Sequence, residues 1–393
     1  MKRAVAVVAV TASAVGLAAG SAAATPKVIT RKTLAPGVVY QQITDTAVPY
    51  RVYAVEFDPT TPATLDSVLS GSQIGTFTRT STMGANAGAL ASINGDLNDW
   101  PGRPTHQSVT DGRVAQTGSR PGISLGFRRD EHGGTIGHHP LNITAKDLQT
   151  KGSASITSWN TDPPGVDEVV GYSRYGGRYA KPGSNQCSAR LTTPTPMRWG
   201  SQQMGVSRDY TVESVRCGST AMEVRRGTVV LTARLTGTGA TYIKTLSAGH
   251  TVRVEWSSGQ PGAMDVVSGN ALILQNGVIQ YPVGCTQDVC DRNPRTAIGI
   301  TATNHVILLV VDGRSPGSTG MTLYQLGKEM KTLGAASAMN LDGGGSATMW
   351  IKGLGVVNHP TDSSGERPVS NAIVILPGAD AGEPSPLAAR MRI

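Results

Sequence analysis

Residues 305–314 read HVILLVVDGR, and residues 335–346 read AASAMNLDGGGS. The first is a continuous apolar run of strand length, expected to be covered on both faces. The second is another apolar run, and it too ends in Asp-Gly. Between them Leu323, Leu326, Met330 and Leu333 recur at helical spacing, with Ser318 and Thr319 as candidate caps and Gly334 as the stop. Strand, helix and strand in this order predict two parallel strands joined by a right-handed crossover. Such a unit brings Asp312 and Asp342 to one sheet edge, the carboxyl edge where α/β sheets bind ligands. Residues 347–351 are expected to return as an antiparallel neighbour, and 371–376 to close the sheet. The fold class is therefore α+β: a mixed, strand-rich sheet with few helices and a C-terminal strand–helix–strand unit.

Outward from this unit, short strands alternate with Gly, Asn and Asp turns at 122–127, 222–231, 251–256, 271–274 and 296–301. No repeat period emerges. A short helix at 83–90 leads into a buried strand end at 91–94. Residues 25–84 read as an N-terminal β segment packing on the core, 85–376 as the main domain, and 377–393 as a loose tail. Within the main domain, about 150–220 reads as an irregular, Cys-bearing insertion. The 48 Gly, 23 Pro and 16% charged residues agree with many turns and short strands.

The chain opens Met1-Lys2-Arg3, continues through an Ala- and Val-rich stretch and reaches Ser21-Ala22-Ala23-Ala24. A charged start, a short apolar middle and a small-residue exit describe a secretory signal peptide over 1–24, cleaved after Ala24; an uncleaved anchor is the alternative. The protein is expected to be secreted. Cys187, Cys217, Cys285 and Cys290 then suggest two disulfides. Three pairings exist, and Cys187–Cys217 with Cys285–Cys290 closes the least loop. A zinc site is the other use of four cysteines, but paired CxxC spacing is absent. The net charge of +8 suits polyanionic neighbours and does not itself identify a function.

Three successive glycines, Gly343 to Gly345, pack nothing and cost entropy. They make sense where backbone approaches a ligand or exposes a row of N–H donors, a nest for an anion; a glycine-rich turn is the plainer alternative. Asp342 before the run is a candidate base or nucleophile, and Ser346 after it a hydroxyl donor. Arg314 offers a guanidinium suited to phosphate, and a solvated turn explains it equally well. Asn94, Asp96, Arg295 and the 366–371 run ERPVSN are further polar candidates at strand ends.

The stretch 293–300 (NPRTAIGI), Val311-Asp312-Gly313-Arg314, 338–346 (AMNLDGGGS) and 366–371, with 91–95 and 265–277 upstream, resembles the phosphodiester glycosidase family in order over about 85–376. That resemblance implies a catalytic domain that cleaves a sugar's anomeric C–O bond and leaves the phosphate on the other partner. It implies catalytic roles for Asp342, Asp312 and Glu366. It implies substrate or phosphate binding by Asn94, Asp96, Arg295, Thr296, Arg314, Asn340, Gly343, Gly344, Gly345, Ser346, Arg367, Ser370 and Asn371. A departing phosphomonoester has a second pKa near ~6 and needs little protonation, so one carboxylate suffices. Where the family carries an aromatic pair after Asn94-Gly95, this chain has Leu97-Asn98, with Trp100 nearby.

The partner implied is a sugar-1-phosphodiester or phosphate-bearing glycan, with no nucleic acid and no membrane insertion; oligomeric state is open. No cofactor is expected to be required, and a bound divalent cation stays open. Two rivals remain: a glycan-binding or wall-attachment module, and a metal-dependent phosphodiesterase cutting P–O with Asp96, Asp312 and Asp342 as ligands.

Overall fold

The computed structural model describes residues 28–45, 49–128, 134–181, 185–193 and 205–378. The expected signal peptide, and the tail beyond residue 378, lie outside the described residues. Val306–Val311 is buried along its whole length because it is sandwiched. Val306, Leu308 and Val310 enter one core, while Ile307, Leu309 and Val311 enter another on the opposite face. Its sheet has eight strands, in the order Val28–Ala35, Val38–Asp45, Tyr50–Phe57, Val306–Val311, Arg295–Thr301, Ala335–Asn340, Ala271–Gln275, Val278–Ile279. Arg295–Thr301 pairs antiparallel with both Val306–Val311 and Ala335–Asn340. Those two strands are therefore parallel to each other, as expected, but with a third strand between them.

A second sheet, of five strands, stacks on this one. Its order is Gly355–Val356, Met349–Ile351, Ala91–Asn94, Asn371–Pro377, Ala63–Leu69. Ile93, Met349, Ile351, Ile373 and Ile375 meet Tyr53, Val55, Leu308 and Val310 in the shared core. This corrects two expectations. Met349–Ile351 does not return beside Ala335–Asn340, and Asn371–Pro377 does not close the first sheet; both pair with Ala91–Asn94 in the second. An apolar strand beside a buried sheet fits either layer, so hydrophobic pattern alone does not choose.

The three helices of the described residues are α1 (Thr80–Ala87), α2 (Thr238–Thr245) and α3 (Leu323–Thr332). Leu323, Leu326 and Met330 of α3 cover the outer face of the first sheet, and Met83 and Ala87 of α1 cover the outer face of the second. Truncating a buried leucine such as Leu326 to alanine costs about 2–5 kcal/mol in such a setting. The cap of α3 is Thr322, whose hydroxyl and Gln325 exchange backbone hydrogen bonds in a capping box. Ser318, expected as the cap, instead donates to the Asp312 carbonyl at 2.6 Å and accepts from the Arg51 N–H. The first helix starts at Thr80 rather than 83 and stops at Gly88, where φ is +73°.

The stretch 150–220, expected to be irregular, is strand-rich in its described part. Ser153–Ile156, Ser158–Trp159, Val169–Tyr172, Gln186–Thr192 and Val206–Gly218 all join another eight-stranded sheet. Their partners, Thr228–Arg234 and Thr251–Ser257, lie far along the chain. The expected 222–231 strand is Thr228–Arg234, beginning only after the Gly227 turn. This sheet has its own core, centred on Trp159 and Trp256 packed edge to face at 5.9 Å. Cys187 and Cys217 face each other across adjacent strands and are joined, and Cys285 is joined to Cys290. Among the described residues no helix is long and apolar enough to cross a membrane.

Candidate active site

The two stacked sheets meet at their strand ends, and Asp342 sits at that seam. Its N–H donates to the Gly95 carbonyl at 3.0 Å, just beyond the end of Ala91–Asn94. The buried Asn94 amide donates to the Asp342 carbonyl at 2.7 Å, and its oxygen accepts from the Thr296 hydroxyl at 2.8 Å and the Thr348 N–H at 3.1 Å. Asn94 and Thr296 thus fix the Asp342 backbone. The side chain is held by Asn98, whose Nδ2 donates to Asp342 Oδ2 at 3.1 Å while its Oδ1 accepts from the Ser370 N–H at 2.6 Å. Burial pushes the Asp342 carboxyl up to about 6; the Asp96 charge adds to this, while Ser346, Arg367 and the Gly343 N–H oppose it.

Asp96 lies behind this carboxylate, almost wholly buried. It accepts from the His106 N–H at 2.7 Å and meets His106 Nδ1 at 2.6 Å. Burial raises its pKa, against the pull of His106. The Asn371 side-chain oxygen accepts the Asp96 N–H at 2.9 Å. Gly95 makes that approach feasible: a Cβ there would lie 2.5 Å from Asn371 Oδ1.

Asp342 opens into a cavity of about 630 Å³, lined also by Phe77, Leu97, Asn98, Asp99, Thr105, Arg120, Arg367 and Pro368. Two guanidinium groups therefore border it. Arg367 is steered by Asp362, which accepts from its Nε at 2.6 Å, and reaches Ser346 Oγ at 3.4 Å. Arg120 stands exposed at the rim. The glycine run is needed because arginines press on it. A Cβ on Gly345 would meet Arg367 Nη2 at 2.5 Å, and one on Gly344 (φ +59°) would meet Arg314 Nη2 at 3.2 Å. Its amides turn inward: Gly343 to the Asp342 carboxylate, Gly344 to the Pro294 carbonyl and Ser346 to the Gly343 carbonyl. Of the run expected to expose a row of donors, Gly343 and Gly344 thus spend their amides within the protein.

The family model of the phosphodiester glycosidases matches residues 202–376. The matched stretch carries Asp342, the glycine run and Arg367; Asn98, Arg120 and the rest of the cavity's near wall precede it. The SPbeta prophage-derived uncharacterized protein YomE of Bacillus subtilis (strain 168) is 34% identical over 88 residues. That match spans 22% of this chain and only 13% of the relative. A solved hypothetical protein from Synechocystis superposes with a TM-score of 0.70 at 17% identity, over 91% of this chain and 64% of its own length. A solved protein of Burkholderia pseudomallei K96243, whose name infers export, does so with 0.67 at 19% identity, over 91% and 99%. At these identities the solved structures speak for the fold.

The other residues singled out from the phosphodiester glycosidase motifs divide sharply. Asp342 and Arg367 line the cavity; Asn94, Asp96, Thr296, Ser346, Ser370 and Asn371 form the scaffold that holds them. Asn340 is turned away, donating to the Asn270 side chain and the Leu341 carbonyl. Asp312 does not line the cavity with Asp342, although both leave the same sheet edge. Its oxygens accept from Tyr53 OH at 3.0 Å and the His359 N–H at 2.8 Å, and meet His359 Nδ1 at 3.0 Å.

Arg295 is buried and spends its donors on the carbonyls of Met321, Val289 and Asp291; burial lowers its pKa to about 10. Through its Nε and Nη2 it braces the Cys285–Cys290 loop, and it is not among the residues that line the cavity. Arg314 reaches Asn293 Oδ1 at 2.9 Å on the far side of the glycine run. Glu366 grips the start of α1, accepting from the Ser81 N–H at 2.7 Å and hydroxyl at 2.5 Å, and does not line the cavity. Among the described residues no group of three or more His, Cys, Asp or Glu is placed to hold a metal ion. Asn98, Arg120, His106 and Phe77 were not anticipated. Phe77, His106 and Arg120 sit in loops without a motif, and only the fold brings them to Asp342; Asn98 opens the Asn98–Asp99 strand just after the 91–95 motif, where the sequence marks a departure but no role.

Proposed function

We propose that the chain hydrolyses the glycosidic bond of a sugar-1-phosphodiester, with Asp342 acting at the anomeric carbon and Arg367 and Arg120 receiving the phosphate. The observation that carries this is Asp342 itself: a carboxyl raised to about 6, fixed by Asn98 and opening into a cavity bordered by two arginines. At neutral pH it is mostly ionised yet basic enough to accept a proton. The anomeric C–O bond breaks with its electron pair leaving on the phosphate oxygen. The new bond comes from a water whose proton Asp342 takes, or from the carboxylate, in which case a water then hydrolyses the glycosyl ester to free the sugar and Asp342. The departing phosphate needs no strong acid, and a guanidinium at its oxygens stabilises the charge that builds there. The match of 202–376 to the phosphodiester glycosidases supports the same chemistry. Two disulfides support export as the setting.

The test is product identification on a panel of sugar-1-phosphodiesters, with and without a chelator. Free sugar plus a phosphomonoester, insensitive to chelation, is the expected result. Sugar phosphate released only in the presence of metal would point to P–O cleavage instead, and no turnover with retained glycan binding would point to a binding module.

A further inference from the structure

We propose that Phe77 and Trp100 form an aromatic platform for the apolar face of the donor's pyranose ring, an assignment that rests on the glycosidase reading of the same cavity. Trp100 is 84% exposed and Phe77 37%. Their ring centroids lie 6.1 Å apart, with planes inclined at 39°. Trp159 and Trp256, by contrast, are fully buried. A tryptophan left in water contributes little to folding, and here it extends outward from Phe77, which lines the polar cavity, so that the two rings make one exposed apolar surface at its mouth. Two rings are far too small for a stable protein interface, which needs about 1,000 Å² or more, so the patch fits a small ligand.

The platform is also built rather than loose. Trp100 tops the hairpin of Asn98–Asp99 and Arg103–Pro104, whose Asn98 holds the Asp342 carboxylate. The Gly102 N–H closes the tip onto the Asp99 carbonyl at 2.8 Å, and the Gly75 N–H donates to the Gly102 carbonyl at 3.0 Å. At Gly102, with φ +110°, any Cβ would lie 2.5 Å from the Thr76 carbonyl oxygen. The two loops are thereby pressed together, and Phe77 lines the cavity along with Asn98, Asp99 and Asp342. A pyranose has one face dominated by C–H groups, which packs on aromatic rings, and hydroxyls at its edge for the polar groups of the cavity. Ring binding and bond cleavage then share one short hairpin.

The experiment titrates Asp342→Asn, expected to lose about 1,000-fold or more of turnover, with glucose 1-phosphate and N-acetylglucosamine 1-phosphate, following tryptophan fluorescence. Expected is a spectral change that disappears in Asp342→Asn/Trp100→Phe, and about tenfold weaker calorimetric affinity in Asp342→Asn/Trp100→Ala. Phe77→Ala weakens it about threefold. Affinity for glycerol 3-phosphate, which has no pyranose, stays unchanged. In the otherwise native protein, Trp100→Ala raises KM about tenfold and leaves kcat within about twofold. Both side chains are exposed enough for the variants to fold, and circular dichroism checks that. Unchanged sugar-phosphate affinity in the Trp100→Ala pair, or no sugar-phosphate binding at all, overturns the platform. Free-sugar release with Trp100→Ala kinetics like the parent overturns the platform alone. Trp100-dependent binding without release overturns the hydrolysis and leaves the platform standing.

Discussion

Asp312 and Asp342 begin as near-twins and end differently. Each follows a buried strand of the same sheet, each precedes glycine, and their strands run parallel with one strand between. Asp312 is 2% exposed, and both its oxygens are occupied by Tyr53 and His359. Asp342 has Asn98, Ser346 and Gly343 for company and opens on a cavity. The partners differ because the loops above each strand end come from distant parts of the chain. A carboxylate with all its hydrogen bonds made is scaffold. One that is desolvated but still reachable is where a shifted pKa becomes chemistry.

The largest expected effect breaks this pair apart. Asp342→Asn keeps the shape, so kcat on a sugar-1-phosphodiester should fall about 1,000-fold or more with little loss of binding. Asp312→Ala orphans a buried tyrosine hydroxyl and a backbone N–H. It should cost about 3 kcal/mol in urea unfolding while kcat/KM falls less than about tenfold once the protein is folded. Steady-state kinetics and denaturation on the same preparations decide it, and a reversed pattern would show that the two roles have been exchanged.

Much of the frame could be read in advance. The run 306–311, the α3 spacing and the cysteine pairs rest on local pattern, and local pattern was enough. Layer assignment was not legible, because Met349–Ile351 and Asn371–Pro377 are apolar strands that either sheet would accept. Nor were the site's near walls. Arg120 and Phe77 carry no motif, and Asn98 shows only as a departure after Asn94-Gly95; they become functional candidates only when the two sheets bring residues 77–120 against 342. Arg295 misled for the complementary reason. An arginine within a strongly patterned stretch looks like an anion binder, yet this one is buried, and its Nε and Nη2 go to backbone carbonyls.

The arginines offer the next contrast. Arg367→Ala should lower kcat/KM on the phosphodiester about 100-fold, because a charge-assisted contact at the leaving phosphate is lost. The same change should matter much less on a donor with a neutral aryl leaving group. Arg120→Ala should lose about tenfold with the same substrate dependence. Arg314→Ala, reaching Asn293 beyond the glycine run, should stay within about threefold on both substrates. Equal losses on the two substrates for Arg367→Ala would remove it from the phosphate.

The raised Asp342 pKa predicts opposite pH trends for activity and stability. kcat/KM should rise with pH through about 6 as the carboxylate forms. The folded pKa lies above the unfolded value, so the native state holds this proton more tightly and stability is lost as pH rises from about 4 to 6. Asp342→Asn removes that loss. It should be more stable than the parent above pH 6, by about 2 kcal/mol, with the gap closing near pH 4. A gap that does not change with pH in thermal melts would mean that Asp342 titrates alike in both states.

The smallest effect concerns Glu366, a third carboxylate from the same run of motifs and the one the fold uses most locally. It accepts two hydrogen bonds from Ser81 at the N-terminal turn of α1, where a negative charge also meets the positive end of the helix. Glu366→Gln removes the charge and turns one acceptor into a donor facing the Ser81 N–H or hydroxyl. The cost should be about 1 kcal/mol, within the range of a lost helix cap. Ser81→Ala removes one of the same two bonds, so the double variant should lose less than the sum of the single ones. Turnover should stay within about twofold of the parent, since Glu366 is absent from the cavity wall. If instead kcat fell by 100-fold at an unchanged melting temperature, Glu366 would belong with Asp342 in the chemistry, and satisfied hydrogen bonds would no longer separate scaffold from reactive carboxylate in this protein.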